Sequence, residues 1–314
     1  MTVSANNSQN QQEVQEPLFL SDVSPRMDWK WDVHRINSLE LAANYAGSDF
    51  GDYSLRTLHC SSLLDFRIQI DELRLRTARF CRVRYCPICQ WRRSLMWKAK
   101  AHQLLPGIVA EYPSHRWIFL TLTIRNCAIT ELKITVELMH RAFRLMTKRQ
   151  VWTVDGWVRG TEVTRSCNGE AHPHIHALLM VPAGYFSGHH YLSQASWAEL
   201  WKQCLGVDYT PITDVRAIHR FDDPCRVIPE IFKYQTKAGH LLVDRDWLIE
   251  LTRQMHGVRA VSVGGVLRNK LRELTLDPAD FIHSDEDSSA LKDCPDVHFA
   301  WSQSQKRYEA VELD

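Results

Sequence analysis

From about residue 106 onward the apolar positions alternate between two periods. Trp117-Ile118-Phe119-Leu120-Thr121-Leu122-Thr123-Ile124 is β-branched and aromatic, which predicts a largely buried strand. Leu132, Val136, Met139, Phe143 and Met146 recur at helical spacing and predict an amphipathic helix over about 130–148. Two more strands are predicted over 156–165 and 174–181, and the Asn168-Gly169 pair between them signals a hairpin. A helix over 193–204, a strand over 212–217 and a helix over 229–238 follow, and 261–265 reads as a return to the sheet. The hairpin makes the sheet at least partly antiparallel. The expected class is therefore α+β, a central, mainly antiparallel sheet flanked by helices.

Upstream the pattern is weaker. Residues 17–58 carry scattered aromatics and a short helical pattern near 36–46. A helix over about 87–105 is expected to stop at Pro106-Gly107. Residues 1–16, rich in Asn, Gln and Ser, are expected to be disordered.

Charge divides the chain further. The net charge of +1 conceals ten Lys or Arg against two acids over 67–100, and ten acids against three Lys or Arg over 277–314. A basic block of that density suits a phosphate backbone, and an acidic tail does not. The expected organisation is a disordered start (1–16), an N-terminal region with a Cys-rich basic segment (17–105), a catalytic domain (106–276) and an acidic C-terminal tail (277–314). No stretch approaches the ~18 to 20 apolar residues that a bilayer requires, so a cytoplasmic protein with no membrane partner is expected. In a reducing compartment nine cysteines point to metal binding or burial before disulfides.

Three chemical signals stand out. The first is His172-Pro173-His174-Ile175-His176. On a strand His174 and His176 share a face about 7 Å apart at the backbone, close enough to converge on one ion. His172 shares that face but lies roughly 13 Å from His176, too far for all three to chelate. Glu162 on the preceding strand is the natural third ligand, with Glu170 as the competing carboxylate. Its parity is awkward. A two-residue turn at Asn168-Gly169 would put Glu162 opposite Ile175, on the wrong face, and only an odd loop or a bulge would bring it round.

The second signal is a short helix framed by Pro229 and Gly239, with Glu230, Tyr234 and Lys237 along one stripe. A tyrosine, with a reference pKa of ~10, needs help as a nucleophile at neutral pH. A divalent ion at the phosphate and a neighbouring Lys would supply it. The third is Cys81-Arg82-Val83-Arg84-Tyr85-Cys86-Pro87-Ile88-Cys89, with His59-Cys60 upstream. It suits a closed structural zinc site of Cys60, Cys81, Cys86 and Cys89, with His59 as the alternative to Cys60. Arg82, Arg84, Arg92 and Arg93 are the expected phosphate contacts.

Taken in order, these residues resemble the HUH endonuclease superfamily, and within it the single-tyrosine rolling-circle plasmid replication initiators. There a Phe-Leu-Thr-Leu-Thr strand precedes a His-hydrophobic-His strand and then a helix bearing the nucleophilic tyrosine. Phe119 to Thr123, His174-Ile175-His176 and Tyr234 fill those positions, and Glu230 and Lys237 match the glutamate and lysine that flank the tyrosine. The resemblance covers roughly residues 80–270. It implies an RRM-like or ferredoxin-like palm and Mg²⁺ or Mn²⁺ at His174, His176 and Glu162. It also implies attack by Tyr234 on single-stranded origin DNA, leaving a 5′-phosphotyrosyl link and a 3′-hydroxyl primer, with hydrolysis assisted by Glu230 at termination. Host helicase and polymerase are the implied partners. A transposase of the same superfamily and a non-catalytic, zinc-dependent DNA-binding regulator are the rival readings.

Overall fold

The computed structural model describes residues 17–23, 29–69, 72–218, 244–273 and 295–312. Its described part is α+β, with two antiparallel sheets flanked by helices. After a one-turn helix α1 (Leu20–Val23) come α2 (Trp29–Tyr45), α3 (Gly51–Leu58), β1 (Leu63–Gln69), β2 (Glu72–Ala78) and α4 (Pro87–Glu111). Then follow β3 (Arg116–Thr123), α5 (Leu132–Met146), β4 (Gly156–Arg165), β5 (Ala171–Val181), α6 (Gln194–Leu205) and β6 (Thr213–Ile218). The chain is described again at α7 (Arg245–Gln254), β7 (Val261–Gly265), α8 (Val266–Glu273), β8 (Asp296–Ser302) and β9 (Arg307–Val311).

The larger sheet has the order β6-β3-β5-β4-β7. Its central strand β5 is buried without a break from Ala177 to Val181, because both faces are covered. On one face Leu120, Leu122, Ile175 and Ala177 pack against Met139 and Phe143 of α5 and Trp197 and Trp201 of α6. Ser193 starts α6 by accepting a hydrogen bond from Ser196 N at 3.1 Å, and Gly206 ends it in the left-handed conformation that glycine adopts without strain. The other face is apolar only at one end, where Trp117, Val158, Leu178 and Met180 meet Ala101, Leu105 and Ile108 of α4. At its far end that same face carries polar side chains, which form the site described below. The run at 261–265 returns as β7 against β4.

Two features depart from the sequence-based expectation. Helix α4 does not stop at Pro106-Gly107 but continues to Glu111. Proline removes one backbone hydrogen bond, a loss of about 3 kcal/mol in an isolated helix, and here the burial of Leu105 and Ile108 against the sheet opposes it. A boundary at residue 105 would therefore cut through a helix. The second sheet, ordered β2-β1-β8-β9, was not anticipated. It joins the basic block to part of the supposed acidic tail: Arg67 and Arg76 both pair with Asp296, and His298 Nδ1 lies 2.7 Å from Asp65 Oδ1. Phe299 and Tyr308 are fully buried in this sheet. No helix among the described residues is long and apolar enough to cross a membrane.

Candidate active site

The β4–β5 connection decides the geometry. Ser166 N donates to Glu170 O at 2.9 Å, and Gly169 N donates to Ser166 O at 3.0 Å with Gly169 at φ +83°. The loop proper is therefore three residues, 167–169, a turn followed by a left-handed glycine. An odd loop shifts the register by one. Glu162 pairs with His174 and Gly160 with His176, without a bulge along β4 and β5. Glu162, His174 and His176 thus share the polar end of the sheet face, and Thr121 and Thr123 of β3 flank the histidines from the other side.

The three side chains converge. Glu162 Oε2 lies 2.9 Å from His174 Nε2 and 3.1 Å from His176 Nε2. The tautomers follow from the outer contacts. His174 Nδ1 is 3.3 Å from the backbone carbonyl of His172, which can only accept, so Nδ1 carries the proton and Nε2 presents a lone pair. His176 Nδ1 is 3.1 Å from Thr121 Oγ1, which can accept in the same way. The His176 ring also stacks on Phe119, with centroids 5.5 Å apart and planes at 20°. Two nitrogen lone pairs and a carboxylate oxygen facing one another call for a cation, whether shared protons or a metal ion. Burial pushes the Glu162 carboxyl up, but where protons take the shared positions the hydrogen bonds and charge of the two imidazoles outweigh it and hold its pKa at about 2. An ion ~2.1 Å from each donor needs donors about 3.0–3.4 Å apart, and the Glu162 contacts fit that spacing. Glu170, the competing carboxylate, is exposed in the hairpin connection. His172 lies on the same face, its ring centroid 5.4 Å from that of His174.

Glu230, Tyr234 and Lys237 lie outside the described residues. Thr121, Phe119 and the His172 carbonyl were not singled out from the sequence as supports of the histidines. The alternation of Thr121 and Thr123 in a strand of large apolar residues was the available signal.

The cysteines form a second centre, at residues 60–89 rather than at the start of the chain. Cys60, Cys81, Cys86 and Cys89 are buried, with their sulfurs within 4.8 Å of one another. The Cys60–Cys89, Cys81–Cys89 and Cys60–Cys86 sulfur distances are 3.7, 3.6 and 3.7 Å. A tetrahedral ion ~2.3 Å from each sulfur requires about 3.8 Å, so the donor set fits zinc. Backbone N–H groups of Cys81 and Arg82 point at Cys60 Sγ and Cys89 Sγ at 3.4 and 3.3 Å. Arg82 takes a left-handed φ of 56° at that turn. Hydrogen bonds from the neighbouring thiols hold the Cys81 thiol far below its ordinary value, while the same contacts push Cys60 and Cys89 up. Of the two alternatives for the fourth position, Cys60 is in the cluster and His59 is exposed.

The arginines of the basic block divide. Arg84 Nη1 donates to the carbonyls of Met255 and Val258, both at 2.8 Å, which ties the cysteine loop to the end of α7. Arg92 is 8% exposed and lies over the rings of Trp31 and Trp91. Arg84 and Arg92, both expected as phosphate contacts, therefore turn inward rather than out along the basic block: Nη1 of the first is committed to two carbonyls, and the second is core. Arg82 is exposed and Arg93 is half-buried.

Comparison with known proteins adds the context that geometry lacks. A family model described as "Replication protein" matches residues 72–309. The chain belongs to this family of plasmid rolling-circle replication proteins. It is 30% identical over 308 residues to "Protein rep" of Streptococcus pneumoniae serotype 2 (strain D39 / NCTC 7466), covering 94% of this chain and 96% of that one. It is 32% identical over 270 residues to "Protein rep" of Lactiplantibacillus plantarum, covering 79% and 85%. For "Protein rep" of Lentilactobacillus hilgardii the identity is 31% over 309 residues, covering 92% and 98%. No solved structure matches the chain significantly. The family match of this replication protein takes in Glu162, His174, His176 and three of the four cysteines, Cys60 preceding it, and extends through β2 and β8 into β9 of the second sheet.

Proposed function

We propose that this plasmid replication initiator acts as a metal-dependent, site-specific endonuclease on single-stranded origin DNA, with Tyr234 as nucleophile. The observation that carries the reading is the convergence of Glu162, His174 and His176 on one face of the sheet. An Mg²⁺ or Mn²⁺ ion held there would polarise a phosphate oxygen and draw charge off the phosphorus. His172 and Thr121 hold the two imidazoles in the ligand tautomer, and Glu162 supplies the anionic donor.

In this reading the Tyr234 hydroxyl loses its proton to Glu230 or to water and attacks phosphorus. The Tyr234 Oη–P bond forms, the P–O3′ bond breaks, and the departing 3′-oxygen takes up a proton to become the primer. Lys237, one turn along the same predicted stripe, offsets phosphoryl charge. At termination a water that gives its proton to Glu230 would attack phosphorus at the regenerated site, breaking its P–O3′ bond, and the departing 3′-oxygen takes up a proton. Chain connectivity supports the partnership. Ile218 pairs with Trp117 at the apolar end of the sheet, and Asp244 bonds Arg165 at 2.7 Å beyond its polar end. Residues 219–243, which include Tyr234, join these two points on either side of the triad.

The four-cysteine centre serves in this scheme as a structural zinc site. Single-stranded origin DNA is the substrate, and host helicase and polymerase act on the primed product. The test is incubation of a supercoiled plasmid carrying the gene and its flanking DNA with the protein and Mg²⁺ or Mn²⁺. Wild type should nick it and remain attached, and Tyr234→Phe should do neither. Binding without nicking by wild type across both metals would favour a non-catalytic regulator.

A further inference from the structure

On the opposite face of the sheet from the triad, four chain segments bring cations together. Arg159 of β4 is 4% exposed, beneath α5. Its guanidinium lies 5.1 Å from the Phe143 ring centroid, Nη1 reaches only Thr161 Oγ1 at 3.5 Å, and the buried Nε has no acceptor. Arg84 presents two more buried donors without acceptors, Nε and Nη2, although its Nη1 is bonded. Exposed Arg259 lies between Val258, whose carbonyl accepts from Arg84 Nη1 at 2.8 Å, and Ala260, whose carbonyl accepts from Thr161 N at 2.9 Å, which brings it to β4. Exposed Arg144 lies one turn along α5 from His140, and both arginines add to burial in lowering the Arg159 pKa. His140, bonded to Thr161 Oγ1 at 2.8 Å, is kept neutral by burial first and then by Arg159, Arg144 and Arg84.

A buried guanidinium ordinarily has a carboxylate beside it, because the cost of removing the charge from water is otherwise unmet. Among the described residues no carboxylate pairs with Arg84, Arg144, Arg159 or Arg259. What these groups lack in common is an anion with several acceptor oxygens, which is what a phosphate offers to arginine forks.

We propose that Arg84, Arg144, Arg159 and Arg259 form a phosphate-binding site that takes a backbone phosphate of DNA. Arg159 is its buried member, and Arg144 and Arg259 are its exposed ones. That the phosphate is DNA's rests on the replication reading above; the anion site rests on the arginines themselves. Since Arg159 and Glu162 point to opposite faces of β4, the phosphate held here belongs to a different stretch of DNA from the one at the triad. The protein would then grip its origin at two separated points, one for chemistry and one for position.

The test has two arms on the full-length, zinc-loaded protein. In the first, thermal unfolding is compared in sodium phosphate and sodium chloride at equal ionic strength. Phosphate should raise the wild-type Tm above the chloride value, and Arg144→Ala/Arg259→Ala should abolish that difference. In the second, duplex origin DNA is titrated with protein carrying Tyr234→Phe. The slope of log K against log salt should fall by about 1 when Arg144 and Arg259 are removed, one phosphate contact being lost. Arg159→Met should behave like the pair, and if it fails to fold the exposed pair still decides. Equal Tm values in the two salts for wild type would overturn the site. Phosphate-specific stabilisation with an unchanged DNA slope would overturn DNA as its source. Neither arm requires nicking, so failure of the Tyr234 chemistry would be seen separately.

Discussion

Replacing Thr121 by Val tests whether the β3 hydroxyl tunes the metal site. Val has almost the same shape and suits a strand at least as well, so β3 should keep its pairing with His176 and Asp214. What disappears is one contact, Thr121 Oγ1 to His176 Nδ1 at 3.1 Å. Without it the imidazole loses the acceptor that favours a protonated Nδ1 and a free Nε2 toward Glu162. Phe119 still stacks on the ring, so orientation is weakened rather than lost. Loss of such an outer partner costs about 10–100-fold in metal affinity, or roughly 1.4–2.7 kcal/mol. The assay is a Mn²⁺ titration followed by electron paramagnetic resonance, with metal-limited nicking in parallel. Thr121→Ser should restore most of the affinity. A Thr121→Val affinity within twofold of wild type would refute the tautomer argument.

Three further perturbations follow. Cys89→Ser should remove about one equivalent of bound zinc and destabilise the chain from α2 through α4, seen by metal analysis and circular dichroism; a full zinc complement would contradict the four-sulfur site. Phe143→Ala should lower unfolding free energy by about 3–5 kcal/mol in denaturant titration, since its fully buried ring fills the space between α5 and the sheet. In metal-free protein the Glu162 carboxyl lies at about 2, below its unfolded value of ~4.3, so the stability it contributes is present above pH ~4.3 and drains away as pH falls toward 2. Glu162→Gln should flatten that part of the pH–stability curve, and an unchanged curve would show that the carboxylate is not held by the histidines.

The class of fold, most element positions and both ligand clusters were legible before the structure. Periodicity marked β3, α5 and the β4–β5 hairpin because each buries one face against a large core, and cysteine spacing marked the four-sulfur site because local turns bring thiols together. The register was not legible. Asn168-Gly169 reads as a two-residue turn, yet Gly169 serves as the left-handed end of a three-residue loop, and one residue of difference decides which face Glu162 occupies. Charge counts misled in two places. Arg84 and Arg92 add to a basic total while pointing inward, because a sum over sequence carries no direction. The acidic total over 277–314 masked the alternation of Val297, Phe299 and Trp301, which forms a strand once Asp296 is neutralised by Arg67 and Arg76. Pro106 likewise reads as a stop where tertiary packing carries the helix through.

In the proposed reaction the protein becomes joined to DNA through one particular oxygen, that of Tyr234. The most direct measurement is to trap the metal-dependent adduct on an origin oligonucleotide, digest it and locate the attached nucleotide by mass spectrometry. A single modified peptide carrying a 5′-phosphodiester on Tyr234 is expected, formed only when Glu162, His174 and His176 are intact. Attachment at any other residue, or an adduct that survives loss of both histidines, would contradict it.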